Sequence, residues 1–218
     1  MTEFVELAGT GLRYLGYALS PLILLPFLIL ILPRAFGGFG QAVSGLIDRI
    51  SGAAMGVAVF AAFAIIVIQL TAVILRYVFG LSFSWLNDSV IFSFAMIFML
   101  GAAGTLRDDG HVRVDILRQR FSARMRAIIE MIGSLVFIVP IGVLILYAGA
   151  SFIARTWAGL EPFNESDGLP VKYLFKTLIP AFAVLMIGQA VSQATKAALS
   201  LRGLRSFEGS AHEHGGAV

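Results

Sequence analysis

The residue types best suited to chemistry lie close together in this chain. Arg107, Asp108, Asp109, His111, Arg113 and Asp115 fall within nine positions, and His212 and His214 flank Glu213 near the C-terminus. A histidine among three carboxylates has the donor types of a divalent-metal site. Carboxylates interleaved with arginines are more often paired surface charges, and Arg118, Arg120, Arg124 and Arg126 continue the basic run. The second histidine pair stands in a Gly-rich tail, where a solvated end is the simpler reading. There is no cysteine, which excludes a thiolate metal site and a disulfide framework. The sequence has no phosphate-binding loop, nucleophile elbow or paired intramembrane carboxylates. No enzyme activity is expected, and no metal or cofactor in this chain.

The elements that position the charged knot are set by composition. Hydrophobic residues make up 58% of the 218 residues and charged ones 13%, with a mean hydropathy of +0.89. A chain of this kind is an integral membrane protein. Uncharged runs mark the spans: Ile50 to Leu75, Ser89 to Leu106, Met131 to Ala154 and Thr177 to Thr195, each bounded by charged residues. Each is close to the ~20 residues that cross a bilayer. A fifth run, Tyr14 to Pro33, is interrupted by Pro21, Pro26 and Pro33. It lacks the basic start and the cleavage site of a secretion signal, so it is expected to be retained.

The expected fold is therefore an all-α integral membrane protein. Four core helices form two hairpins, preceded by an extra N-terminal membrane segment. Val114, Leu117, Phe121, Met125 and Ile128 form one apolar stripe at helical spacing, flanked by arginines. That pattern predicts a short amphipathic helix in the headgroup layer. Ser122 is placed to cap the helix that re-enters the membrane. Residues 1–40 read as the extra segment and linker, 41–202 as the four-helix domain and 203–218 as a flexible tail.

Lys and Arg in short connections resist translocation. The six arginines between Arg107 and Arg126, and Lys196, Arg202 and Arg205, place those two sides in the cytoplasm. The connections after Arg76 and after Arg155 then face the exterior, and a spanning first segment would put Met1 outside. The knot is thus first of all the cytoplasmic end of a helix, where charge requires no catalytic explanation.

Haem held between helices generally takes a histidine at membrane depth, and none of the four runs contains one. The intramembrane amides are Gln69, Gln189 and Gln193, read as helix-to-helix hydrogen bonds or interface anchors. Asp88 and Glu130 stand at helix ends, and Pro140 lies within the third run. Four helices with so few interior polar groups make a poor transporter on their own. Arg76 and Asp88 flank a short outer loop with Trp85 between them. An arginine–carboxylate contact there would close the first hairpin, or either group would face a partner chain.

The segment "LRYVFGLSFSWLNDSVIFSFAMIFMLGAAGTLRDDGHVRVDIL", with the later "ESDGLP" and "IPAFAVLMIGQ", resembles the small membrane subunit of tripartite ATP-independent periplasmic (TRAP) transporters, the DctQ family. Arg76, Trp85, Gly101, Ala102, Arg107, Gly110, His111 and Asp115 match that family's pattern, over roughly residues 45 to 200. Asn87 and Asp88 stand where the family often has two glutamates, and the N-terminal segment is absent from its shortest members. The resemblance implies a scaffold subunit in a bacterial or archaeal cytoplasmic membrane. Its partners would be a large elevator-type membrane subunit that carries the substrate and sodium sites, a periplasmic substrate-binding protein, and membrane phospholipid; no nucleic acid is expected. Candidate structural, partner or lipid contacts are Arg76, Trp85, Asp88, Arg107, His111, Arg113, Asp115, Arg118, Arg120 and Arg124. The residues by themselves also allow an accessory or anchor subunit of another membrane complex.

Overall fold

The computed structural model describes residues 21–108, 121–160, 163 and 167–204. Among these all regular structure is helical, and four helices are long and apolar enough to cross a membrane. The chain is an all-α, multi-pass membrane protein. Its elements are α1 (Pro21–Ile31), α2 (Pro33–Val78), α3 (Ser84–Arg107), α4 (Ala123–Ala158) and α5 (Lys172–Leu201).

The described part of the fifth apolar run is a helix that passes through Pro26 and ends before Pro33. α1 stops because Leu32 precedes Pro33, and a residue before proline is pushed out of the helical region; Leu32 sits at φ −126°, ψ 67°. Pro33 then opens α2, where its missing N–H costs nothing. From there α2 runs unbroken for 46 residues, about 69 Å. The span expected to start at Ile50 is thus the C-terminal part of a longer helix, whose N-terminal part includes Arg34, Asp48 and Arg49; the end of the bundle at Asp48 is named inner and the end at Asp88 outer, after the sides on which the charge pattern expects them.

α2 pairs with α3 and α4 with α5, giving the two expected hairpins. α5 is the hub. It touches α2, α3 and both halves of α4, and from Gln189 to Leu199 all but one of its residues are buried. The reason is in its sequence: Ala190, Ser192, Ala194, Ala197 and Ala198 are small, and small side chains let helices approach closely in lipid. α1 packs on the inner half of α5, with Leu25 and Ile29 against Ala198 and Leu199, and Leu22 and Ile23 against Ile187 and Val191. By contrast the outer half of α2 exposes Phe60, Phe63, Ile66, Leu70 and Tyr77.

α4 starts as the sequence predicts, with the Ser122 hydroxyl accepting from Met125 N–H at 3.3 Å. Pro140 would clash with the carbonyl four residues back in an ideal α-helix. Here Ser134–Ile138 widens into a π turn, and Val139 N–H bonds Ser134 O instead. The helix continues through the proline without breaking. Of the amphipathic stripe, Val114 and Leu117 lie outside the described residues, as do His111, Arg113, Asp115, Arg118, Arg120 and residues 205–218, while Phe121 precedes α4 and Met125 and Ile128 belong to it.

Candidate functional site

Two polar joints and one groove are built on this frame. The inner joint lies where α2 crosses α5. Asp48 Oδ1 accepts from Lys196 Nζ (2.9 Å), Ser192 Oγ (2.9 Å) and Gln189 Nε2 (3.2 Å), while Oδ2 lies 2.7 Å from Lys196 Nζ. One turn further along α2, Ser51 Oγ donates to Gln189 Oε1 at 2.7 Å. Gln189 is fully buried, so both ends of its amide are matched inside the protein.

α3 is tied into the same joint. Its last-turn carbonyls have no intrahelical donor, and Gln193 Nε2 of α5 donates to Leu106 O (2.9 Å) and Arg107 O (3.4 Å). Arg107 itself donates to both carboxylate oxygens of Asp108 (2.6 and 2.8 Å) and to the Asp48 carbonyl (3.2 Å). Arg107 therefore acts as a strap across α2, beneath which Gly52 leaves room for the guanidinium. Each interhelical hydrogen bond of this kind contributes about 0.6–1.7 kcal/mol.

The outer joint fastens α3 to the connection between α4 and α5. Asp88 is buried and its Oδ2 accepts from Leu169 N–H at 3.0 Å; Asp167 Oδ2 accepts from Ser84 N–H at 2.9 Å. Hydrogen bonding from Ser84 holds the Asp167 carboxyl below the usual carboxylate range. Nearby, Trp157 Nε1 donates to Thr177 Oγ1 (2.8 Å), Lys176 Nζ donates to Thr156 Oγ1 (3.0 Å) and lies 4.1 Å from the centre of the Phe152 ring. Trp157 and Tyr173 meet edge to face at 4.9 Å.

These contacts correct one expectation. Arg76 and Asp88 do not pair, because the Asp88 carboxylate is turned toward Leu169 and closes the two hairpins on each other instead of closing the first on itself. Arg76 is exposed and lines a groove between the end of α2 and the start of α3. Trp85 is 43% exposed beside Phe83, as an interfacial anchor would be, and Arg124 is exposed at the start of α4.

Gln189 and Gln193 make the helix-to-helix bonds expected of them, whereas Gln69 is exposed. Asp48, Ser192 and Lys196 are the centre that sequence reasoning passed over. The available signal was an acid and a lysine each adjoining an uncharged run, but nothing in the order of residues joins positions 148 apart. Among the described residues no three His, Asp or Glu side chains gather as a metal site. Apart from Arg107 with its chain neighbour Asp108, the hydrogen-bond partners named in the two joints are helix-to-helix or helix-to-loop contacts.

The family model described as tripartite ATP-independent periplasmic transporters, DctQ component, matches residues 65–199. That stretch contains α3, α4, all but the last two residues of α5, and residues 65–78 of α2, together with every contact of the outer joint. No curated protein and no solved structure matches the chain.

Proposed function

Since the chain belongs to the DctQ family of tripartite ATP-independent periplasmic transporter components, we propose that it is the small scaffold subunit of a sodium-coupled, binding-protein-dependent transporter. It braces a large elevator-type membrane subunit and helps dock the periplasmic binding protein. In this reading the connections at the outer joint face the periplasm, and the inner joint and the C-terminus face the cytoplasm. Sodium and solute are handled by the large subunit, and this chain carries no cofactor.

The observation that supports the reading is how the interior polar groups are used. Ser51, Gln189, Ser192 and Gln193 spend their hydrogen-bonding capacity on neighbouring helices. A polar solute entering the bundle would find few partners, and leaving it unpaired there costs several kcal/mol. A frame whose helices are locked at both ends suits a static support against which another subunit moves.

The test is reconstitution with a matching large subunit, binding protein and sodium gradient. Omitting this chain should abolish or strongly reduce uptake. Gln189→Leu or Gln193→Leu should lower the yield of complex or the rate, without changing which solute is taken. Saturable solute binding to the isolated chain, or a change of solute preference in either variant, would refute the scaffold role.

A further inference from the structure

We propose that the groove between the end of α2 and the start of α3 binds one phospholipid, with its phosphate on Arg76 and a glycerol ester carbonyl on Gln69. The groove has a volume of about 140 Å³, and its lining includes Gln69, Val73, Arg76, Tyr77, Phe83 and Asn87. Its polar groups include a guanidinium and two amides, and no acid is present. Arg76, Gln69 and Asn87 are all exposed, and among the described residues none of their side chains makes a hydrogen bond or ion pair.

Depth supports a lipid over other anions. Gln69 lies inside the uncharged run and Arg76 at its end, seven positions later. That separation is two helical turns on one face, about 10.5 Å. The interfacial layer on each side of a bilayer is roughly 5–8 Å thick, half the difference between the full and the hydrocarbon thickness. A guanidinium reaching outward and an amide reaching up from below therefore bracket a headgroup phosphate and the ester beneath it. An exposed amide facing hydrocarbon with no partner is costly, and an ester carbonyl removes that cost. A carboxylate from a partner chain would satisfy Arg76 but leave Gln69 unmatched two turns deeper. Below the groove, Phe63, Ile66 and Leu70 give an acyl chain an apolar surface on α2. Gly80, at φ +68°, turns the chain so that Phe83 and Asn87 close the other wall. The inference depends on α2 spanning the membrane and not on the transport reading.

Native mass spectrometry of the full chain with added phosphatidylglycerol tests it. The wild type should retain one lipid that survives activation sufficient to strip the rest. Arg76→Gln should weaken that retention about tenfold, from loss of a charge-assisted contact. Gln69→Leu should weaken it several-fold, while Arg34→Gln, an equal change of charge on the inner part of α2, should leave it unchanged. Because a variant can lose lipid by misfolding, the wild type is also exposed to phosphatidylglycerol with a photoreactive headgroup, which should crosslink within residues 69–87. Equal retention in Arg76→Gln, or crosslinking confined to other segments, overturns the proposal. Displacement by millimolar inorganic phosphate would make the groove a free-anion site and overturn it as well. Loss of the lipid on assembly with the large membrane subunit would assign the groove to the partner chain, with the same consequence.

Discussion

Lys196 of α5 places its ammonium within 2.9 Å of both carboxylate oxygens of Asp48 on α2, and the same carboxylate also receives Ser192 and Gln189. Four helix-crossing contacts thus depend on one side chain. Asp48→Ala should lower the stability of the purified chain by about 2–4 kcal/mol, below the upper range for a fully buried pair because both partners keep some exposure. The double variant Asp48→Asn/Lys196→Met should recover part of that loss by removing the unpaired ammonium. Thermal unfolding in detergent measures both. An unchanged midpoint in Asp48→Ala would make the joint ornamental.

Close approach of α2 and α3 rests on Gly104. A Cβ built there falls 2.8 Å from Met55 Cβ and 3.1 Å from Met55 Cγ. Gly104→Ala should therefore cost about 1–3 kcal/mol from overpacking. Met55→Gly in the same chain, which removes the Cβ as well, should relieve most of it, a coupling readable in a double-mutant cycle; Met55→Ala keeps the 2.8 Å contact and should relieve less.

At the outer joint Asp88→Ala strips the acceptor from a main-chain N–H and should cost about 1–3 kcal/mol. Ser84→Ala should do less, because the backbone N–H that bonds Asp167 survives it and only the hydroxyl's contribution is lost. Asp88→Asn keeps an oxygen facing Leu169 and should fall between the two. Yield of the assembled transporter, compared across the three variants, gives the order; equal yields would remove Asp88 from the joint.

The Asp167 contact carries its own pH dependence. Its folded-state carboxyl titrates below its unfolded value. The stabilisation is therefore complete above the usual carboxylate range and is lost as pH falls through the lowered value. Amide exchange at Ser84, after correction for the intrinsic pH effect, should accelerate as the solution is acidified through that window. Asp167→Asn should abolish the acceleration. A wild-type profile that is flat there would disconnect the carboxylate from the Ser84 amide.

Orientation is checked with single cysteines, the chain having none of its own. An impermeant maleimide added outside intact cells should label Ser82→Cys in the α2–α3 loop and spare Arg202→Cys at the end of α5. The reverse pattern would invert the topology.

The spans were legible because hydrocarbon excludes charge, so uncharged runs such as Ser89 to Leu106 announce themselves. The same rule hid the inner third of α2. Arg34, Asp48 and Arg49 read as the border of a membrane segment, yet the helix passes through all three, since Asp48 meets Lys196 from a distant helix. Local caps were readable, as at Ser122, because they need only a few neighbouring residues. Arg76 and Asp88 show the opposite case. Nearness in sequence suggested a pair, but the eleven residues between them include a turn that aims Asp88 at the second hairpin. Gln189 and Gln193 were recognisable as donors or acceptors between helices; which groups they would meet was decided by the crossing of α2, α3 and α5.

The π turn in α4 also settles a matter of counting. Ala127 is buried near the inner end of α4 and Leu146 packs on the cluster around Ile187 further out, 19 positions apart. Five α-helical turns hold about 18 residues. The wider turn at Ser134–Ile138 absorbs the surplus residue, so the two ends of α4 stay in phase along a common face. Deleting one residue there would let the backbone close into regular α-helix with the two halves still in phase, whereas closing the turn with all its residues kept would rotate one half against the other by roughly 100°. That short stretch therefore works as a vernier, in which the number of residues is fixed by azimuth and not by length.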